Sequence, residues 1–356
     1  MKRYGYKAGI VFGLLLFAIG AFLFVPAANT HEYPLFLGAL FIVASGLTFL
    51  ETAANPYVTV LGPPEHSAFR LNLAQSFNGL AAALAPLVGK YLILSDKEYS
   101  NEDILSMSAQ ARQLFIENET NSVKVPFIVL GITLLLVAII FVKTKLPDIK
   151  EANQPEEKRG LLKAFTHRHL SWAVVAQFFY VGAQVCVSSF FIVFAARAAG
   201  ISDRSAADYL VAYGIAFMAG RFAGTFLMKF ILPQRLLKLY ALINIVLTLL
   251  AIFGTGILTL YALIGVAFFM SIMFPTIFAL GIKDLGPDTK SGSSLLIMSI
   301  IGGALLPLLL GYISDSFSNI QYGYVVPLLC FIIIFWFALR GYHVNNPAHE
   351  PALDIE

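Results

Sequence analysis

Ten apolar runs, each long enough to cross a bilayer, constrain this chain more than any motif in it. They cover about 8–28, 34–61, 71–95, 125–142, 170–196, 206–228, 236–253, 257–282, 293–314 and 324–341. A bilayer core about 30 Å thick takes about 20 helical residues to cross. Lipid offers no partners to backbone N–H and C=O groups, so runs of this kind form helices. The expected fold is all-α, a polytopic membrane protein with about 10 transmembrane helices. Only 13% of the 356 residues are charged, against roughly 25% in soluble domains, and this excludes a soluble enzyme or a nucleic-acid binder. Cys186 and Cys330 lie far apart in apolar runs and are expected as packed free thiols.

The polar segments between the runs set the topology. Most are short turn signals such as Gly62-Pro-Pro64, Leu232-Pro-Gln-Arg235 and Leu285-Gly-Pro-Asp288. Two are long. Residues 96–124 are weakly acidic, with a short helix expected near 102–117, and 143–169 are basic around Gln154-Pro-Glu-Glu-Lys-Arg159. With the N-terminus in the cytoplasm, 17 Lys and Arg fall inside and six outside. That bias is what the positive-inside rule asks of a chain with both termini in the cytoplasm. The stretch from Met1 through Pro26-Ala-Ala-Asn29 has a signal-peptide outline, but its apolar run from Ile10 to Val25 is slightly long for one.

One carboxylate interrupts the second run. Leu35–Leu50 carries no charge, Glu51 follows, and Val58–Leu61 is again apolar. If the span ended at Leu50 it would hold 16 residues, short of the ~20 required. A span over 34–61 puts Glu51 inside the membrane, where a charge costs about 2.5–3.5 kcal/mol and marks function. Asn55 and Thr59 follow at helical i+4 steps, and Pro56 deletes a backbone donor.

The same region repeats. Pro56-x-x-x-x-Leu61-Gly62 recurs as Pro275-x-x-x-x-Leu280-Gly281, and Leu84-Ala-Pro-Leu87 as Leu305-Leu-Pro-Leu308, at nearly one offset. Tandem halves of parallel topology account for this, with the first copy carrying the acid and the second lacking it. Spans one to four then pair with spans seven to ten. The counterparts of spans five and six would lie before Met1, so the expectation is a six-plus-six architecture short of its first two helices.

These motifs resemble a known family. Glu51-Thr-Ala-Ala-Asn-Pro-Tyr-Val-Thr-Val-Leu-Gly-Pro63 with Phe69-Arg-Leu-Asn-Leu-Ala-Gln-Ser-Phe-Asn78 is similar to the fucose permease branch of the major facilitator superfamily. So are Ala176-Gln-Phe-Phe-Tyr-Val-Gly-Ala-Gln184, Gly220-Arg-Phe-Ala-Gly-Thr225, Phe274-Pro-Thr-Ile-Phe278 and Thr289-Lys-Ser-Gly-Ser-Ser294. The resemblance runs from Tyr6 to about Leu339 and begins at what would be the family's third helix. It implies sugar–proton symport, L-fucose or a related hexose being the substrate, by alternating access between two bundles. It also implies that Glu51 lines the cavity and takes part in sugar recognition. The family's proton-linked aspartate lies on a first helix that this sequence does not contain.

The domain reading is an incomplete four-helix N-terminal bundle (1–142), a cytoplasmic linker (143–169), a six-helix C-terminal bundle (170–341) and a cytoplasmic tail (342–356). A sugar needs amides and carboxylates for its hydroxyls and an aromatic plate for its face. Gln75 and Asn78 share one helix face, and Gln177, Tyr180 and Gln184 form a polar stripe at i, i+3 and i+7. Tyr213 is a candidate stacking residue, with core packing the alternative. The expected sugar contacts are Glu51, Asn55, Gln75, Asn78, Gln177, Tyr180, Gln184 and Tyr213; interhelical hydrogen bonding is the alternative for the amides. Glu51 is also the proton-coupling candidate, because burial favours the neutral acid while hydroxyls donating to it favour the carboxylate. Arg221 is the candidate gate, with a snorkelling or paired structural arginine as the alternative. Asp208 and Asp315 read as caps or solvated charges.

His167-Arg-His169 is too little for a metal site. No phosphate loop or nucleophile motif is present, so neither a cofactor nor enzyme activity is expected. The expected partners are a small sugar, protons and the lipid of the inner membrane, around a monomer, and not nucleic acid. Efflux of an amphipathic compound is disfavoured by the amide stripes. A truncated, non-transporting remnant or a membrane sugar sensor remains the alternative of a different class.

Overall fold

The computed structural model describes residues 5–30, 32–92, 106–147 and 161–344. The linker core around Gln154-Pro-Glu-Glu-Lys-Arg159, the tail beyond 344, and the part of the 96–124 loop before Ser106 lie outside the described residues. Everything regular that is described is helical: α1 (Gly5–Thr30), α2 (Tyr33–Val60), α3 (Ser67–Leu92), α4 (Ala109–Ser122), α5 (Lys124–Lys143), α6 (Arg168–Ser189) and α7 (Phe191–Ala199) come first. Then follow α8 (Asp203–Leu227), α9 (Pro233–Phe253), α10 (Ile257–Met270), α11 (Met273–Gly281), α12 (Thr289–Met298), α13 (Gly302–Ser316), α14 (Ile320–Gly323) and α15 (Val325–Trp336). Among the described residues, nine helices or continuous helix runs are long and apolar enough to cross a membrane. The 26-residue α3 occupies the remaining expected span.

The structure decides where the second span ends. Helix α2 passes through Leu50, Glu51 and Pro56 without a break, and Glu51 stands about two and a half turns before its C-terminal end. The later spans are less regular than the apolar runs suggest. The 170–196 run is interrupted at Phe190 between α6 and α7, and the 257–282 run breaks between α10 and α11. The expected short helix is α4, capped by the Ser108 hydroxyl, which accepts from Ala111 N at 3.3 Å.

The chain forms two compact units. One comprises Met1–Tyr57 with Ala81–Ile149, and the other Val58–Leu80 with Lys150–Glu356. In the first, α1 packs along α5 around a small core of Tyr6, Ile10, Leu14, Ala53, Tyr57 and Ala138. Lys7 ties the start of α1 to the end of α5, donating to the carbonyls of Val142 and Thr144 at 2.9 Å each.

The second unit holds a larger apolar core that runs through α6, α9, α10, α11 and α15. Close backbone approach depends on missing side chains. A Cβ at Gly302 would sit 2.1 Å from the Phe178 carbonyl oxygen, so α13 and α6 pack closely through this small residue. Cys186 and Cys330 are buried free thiols in this core. The two histidines that raised the metal question have other partners: His167 Nε2 lies 3.1 Å from Asp288 Oδ2, and His169 Nε2 lies 2.9 Å from the Lys283 carbonyl. Ser202, not Asp208, caps α8, its hydroxyl accepting from Ser205 N. Asp208 is a solvated charge, and Asp315 makes a loose exposed pair with Arg197 at 4.0 Å.

Candidate functional site

The geometry around Arg221 starts from a proline. Pro275 has no N–H, so the carbonyl four residues earlier, that of Ser271, loses its helical donor. The helix stops at Met270 and restarts at Met273. Arg221 on α8 supplies the missing bond, with Nε donating to Ser271 O at 2.9 Å. Gly220 makes this reach possible, because a Cβ there would lie 2.1 Å from the Phe268 carbonyl oxygen. With no side chain, α8 lies against α10 and delivers the next residue to the break. The second arm of the guanidinium, Nη1, donates to the backbone carbonyl of Gln75 on α3 at 2.8 Å.

Arg221 is 4% exposed and therefore does not snorkel. Its guanidinium carbon stands 4.8 Å from the Phe217 ring centroid, a cation–π contact that strengthens as water is excluded. The Tyr180 hydroxyl is a further neighbour of the same head, though it has no hydrogen-bond partner among the described residues. A buried charge is tolerated when hydrogen-bond acceptors satisfy its donors, and here two carbonyls do so, one on α3 and one in the break between α10 and α11.

Around it runs a seam of buried polar contacts. Asn72 Nδ2 donates to Ala68 O at 2.9 Å and to Thr276 Oγ1 at 3.1 Å. Thr276 in turn donates to Ile272 O at 2.6 Å, beside the helix break. Ser76 Oγ donates to Asn72 O at 2.9 Å and shares a 3.4 Å contact with Thr225 Oγ1. Thr225 donates back to Arg221 O at 2.7 Å. Sequence reasoning singled out none of these four for function. The signal was available, since Asn72 and Ser76 stand at i and i+4 and so share a helix face.

A second arginine organises the junction of α2 and α3. Arg70 donates through Nε to Val58 O at 3.1 Å, through Nη1 to Pro63 O at 2.9 Å, and through Nη2 to Thr59 O and Gly62 O. These are carbonyls at the end of α2 and just beyond it, where helical donors have run out.

The expected site residues fall into different settings. Glu51 is half-buried and Asn55 buried on α2, both in the first compact unit. On α3, in the second unit, Gln75 is half-buried and Asn78 exposed, one turn apart. On α6, Gln177 and Tyr180 are fully buried and Gln184 is half-buried. Among the described residues the Gln177 amide has no hydrogen-bond partner. Tyr213 is buried, with its ring 5.4 Å from that of Phe191. The structure thus brings the Gln75 backbone onto Arg221, with Tyr180 beside the same head.

The Major Facilitator Superfamily model matches residues 1–300. The chain is 45% identical to the L-fucose-proton symporter of Escherichia coli (strain K12), over 95% of this chain and 79% of that protein. It is 39% identical to the Glucose/galactose transporter of Brucella abortus, over 96% and 80% respectively. The chain belongs to the fucose permease branch of the Major Facilitator Superfamily. Among solved structures, that of the E. coli fucose:proton symporter superposes with a TM-score of 0.88 at 44% identity, covering 95% of this chain and 84% of that one. The all-helical fold is therefore that of the superfamily. Membership of this branch makes the protein a multi-pass membrane transporter and not an enzyme.

Proposed function

We propose that this member of the branch is a sugar–proton symporter of the cell membrane, with L-fucose or a related hexose as substrate, working by alternating access. The observation that carries the reading is the 45% identity, spread over 95% of the chain, to a protein named as an L-fucose-proton symporter. Relatives named as glucose/galactose transporters, at 39–41% identity, support the wider hexose class. Glu51, Asn55, Gln75, Asn78, Gln177, Tyr180, Gln184 and Tyr213 are the proposed sugar contacts, and Arg221 the gate. Residues 1–142 and 170–341 are the proposed bundles, 143–169 the cytoplasmic linker and 342–356 the cytoplasmic tail. Supporting the site is its chemistry: a carboxylate within a membrane helix and amides on other apolar helices suit a ring of hydroxyls.

Glu51 is the proposed proton carrier. A low-dielectric setting favours its neutral acid, and that acid can donate a hydrogen bond to a sugar oxygen, so that sugar and proton favour each other's binding as symport requires. Sugar occupancy and protonation are thereby linked. Uptake of labelled L-fucose, galactose and glucose into proteoliposomes, with and without an inwardly directed proton gradient, tests the reading. Uptake of one or more of these sugars that the gradient accelerates supports it, and binding without uptake overturns it. Glu51→Gln is expected to bind sugar with no pH dependence between pH 5 and 8; a pH profile like that of the unaltered protein would remove Glu51 from the coupling.

A further inference from the structure

We infer that Arg221 is a positioning residue for the sugar-contacting amides of α3, and so helps set which pattern of hydroxyls the site accepts. The inference rests on the symport reading above and deepens it. Its starting point is that the two arms of one guanidinium end on two different backbone carbonyls. One is Ser271 O, which Pro275 deprives of its helical donor, so this carbonyl holds Arg221 in place through its own need. The other is Gln75 O, on the residue whose side-chain amide is a proposed sugar contact.

The stem of Arg221 supports the same reading. A Cβ at Gly79 would lie 3.5 Å from Arg221 Cδ, so the arginine runs alongside the turn of α3 that carries Gln75 and Asn78. The fork of the guanidinium is planar and rigid, with its N–H directions fixed relative to one another. Between Ser271 O and Gln75 O it therefore acts as a spacer that registers the 75–78 turn against the break between α10 and α11. The Phe217 ring packs against the head from a further side. Hexose epimers differ in the direction of one hydroxyl. A site tells them apart only if its amides stand where one hydroxyl can pair and the other leaves a polar group unpaired.

This role is distinct from gating. A gate that merely changes the fraction of binding-competent protein scales the apparent affinity of every sugar by one factor. A positioning residue changes the ratio between sugars. The experiment measures Kd for L-fucose, galactose and glucose by equilibrium binding to the purified full chain, and compares the galactose-to-glucose ratio across variants. Arg221→Lys keeps the charge and loses the fork. It is expected to move the ratio about 5-fold, the worth of one hydrogen bond, while a uniform change for all three sugars overturns the proposal.

Gln75→Ala is expected to move the ratio in the unaltered protein and to add little in the Arg221→Lys background. Independent, multiplicative effects of the two substitutions overturn the proposal. Should Arg221→Lys fail to fold, Phe217→Leu takes the ring from beside the same head without removing the head itself. Its expected shift in the ratio is about twofold, the worth of a weak cation–π contact, and no shift overturns the proposal. Unaltered protein that binds none of the three sugars overturns the symport reading and this proposal with it. Discrimination that survives in every variant overturns this proposal alone.

Discussion

The two copies of the internal repeat solve the same backbone problem in different ways. Pro56 and Pro275 each remove a helical donor. Helix α2 continues through Pro56 to Val60, whereas the second copy breaks before Pro275 and restarts. In the first copy the arginine is local: Arg70, a few residues into the next helix, gathers the carbonyls at the end of α2, close to the surface. In the second it is remote: Arg221 comes from a different span, 50 residues away, and is almost fully buried. Where the first copy has Glu51, the second at the same offset has the fully buried Met270. One copy thus carries a carboxylate of its own, and the other is braced at its break by a fixed charge from outside the repeat.

Breaking the buried arrangement should cost most. Arg221→Ala leaves two carbonyls without a charged donor, and at about 1.5–3 kcal/mol per charged bond a loss of roughly 3 kcal/mol is expected in detergent unfolding. A melting temperature like that of the unaltered protein would make the two copies energetically alike after all. Gly220→Ala comes next. It forces a Cβ to 2.1 Å from the Phe268 carbonyl, so α8 must shift, and overpacking of this kind costs about 1–3 kcal/mol. The check is thermal stability together with loss of protection from hydrogen exchange in α10.

Thr276→Val keeps the shape and deletes Asn72's long-range acceptor; about 1 kcal/mol is expected, and Asn72→Ala made together with it should cost little more than the larger single loss. Additive losses from the pair would show that the contact is not a working bond. Arg70→Ala should cost least, about 0.5–1 kcal/mol, because water can replace donors to carbonyls near a surface. A cost as large as that of Arg221→Ala would erase the distinction between local and buried support.

Much of the fold was legible in the residues because membrane physics leaves little choice. Apolar runs of about 20 residues form helices wherever they sit, so the observed helices fall where those runs lie. The breaks were harder to see. Nothing local distinguishes Pro56, which α2 accommodates, from Pro275, where the helix parts. What differs is the neighbour: α8 approaches through Gly220 closely enough to supply a donor at Ser271.

The candidate site divides along the same line. Glu51, Gln75, Asn78 and the 177–184 stripe stand out in the sequence because polar side chains in apolar helices are costly and so conspicuous. Residue types and their spacing, together with the motifs shared with the fucose permease branch, were enough to determine the helical class, the repeat and these polar positions. Only the tertiary structure decided that Arg221 spans the carbonyls of Ser271 and Gln75 and that Asn72 reaches Thr276. The physical reason is that a long-range hydrogen bond depends on how closely two backbones approach. That distance is set jointly by the side chains of both helices, such as the missing Cβ of Gly220, and by no single segment of the chain.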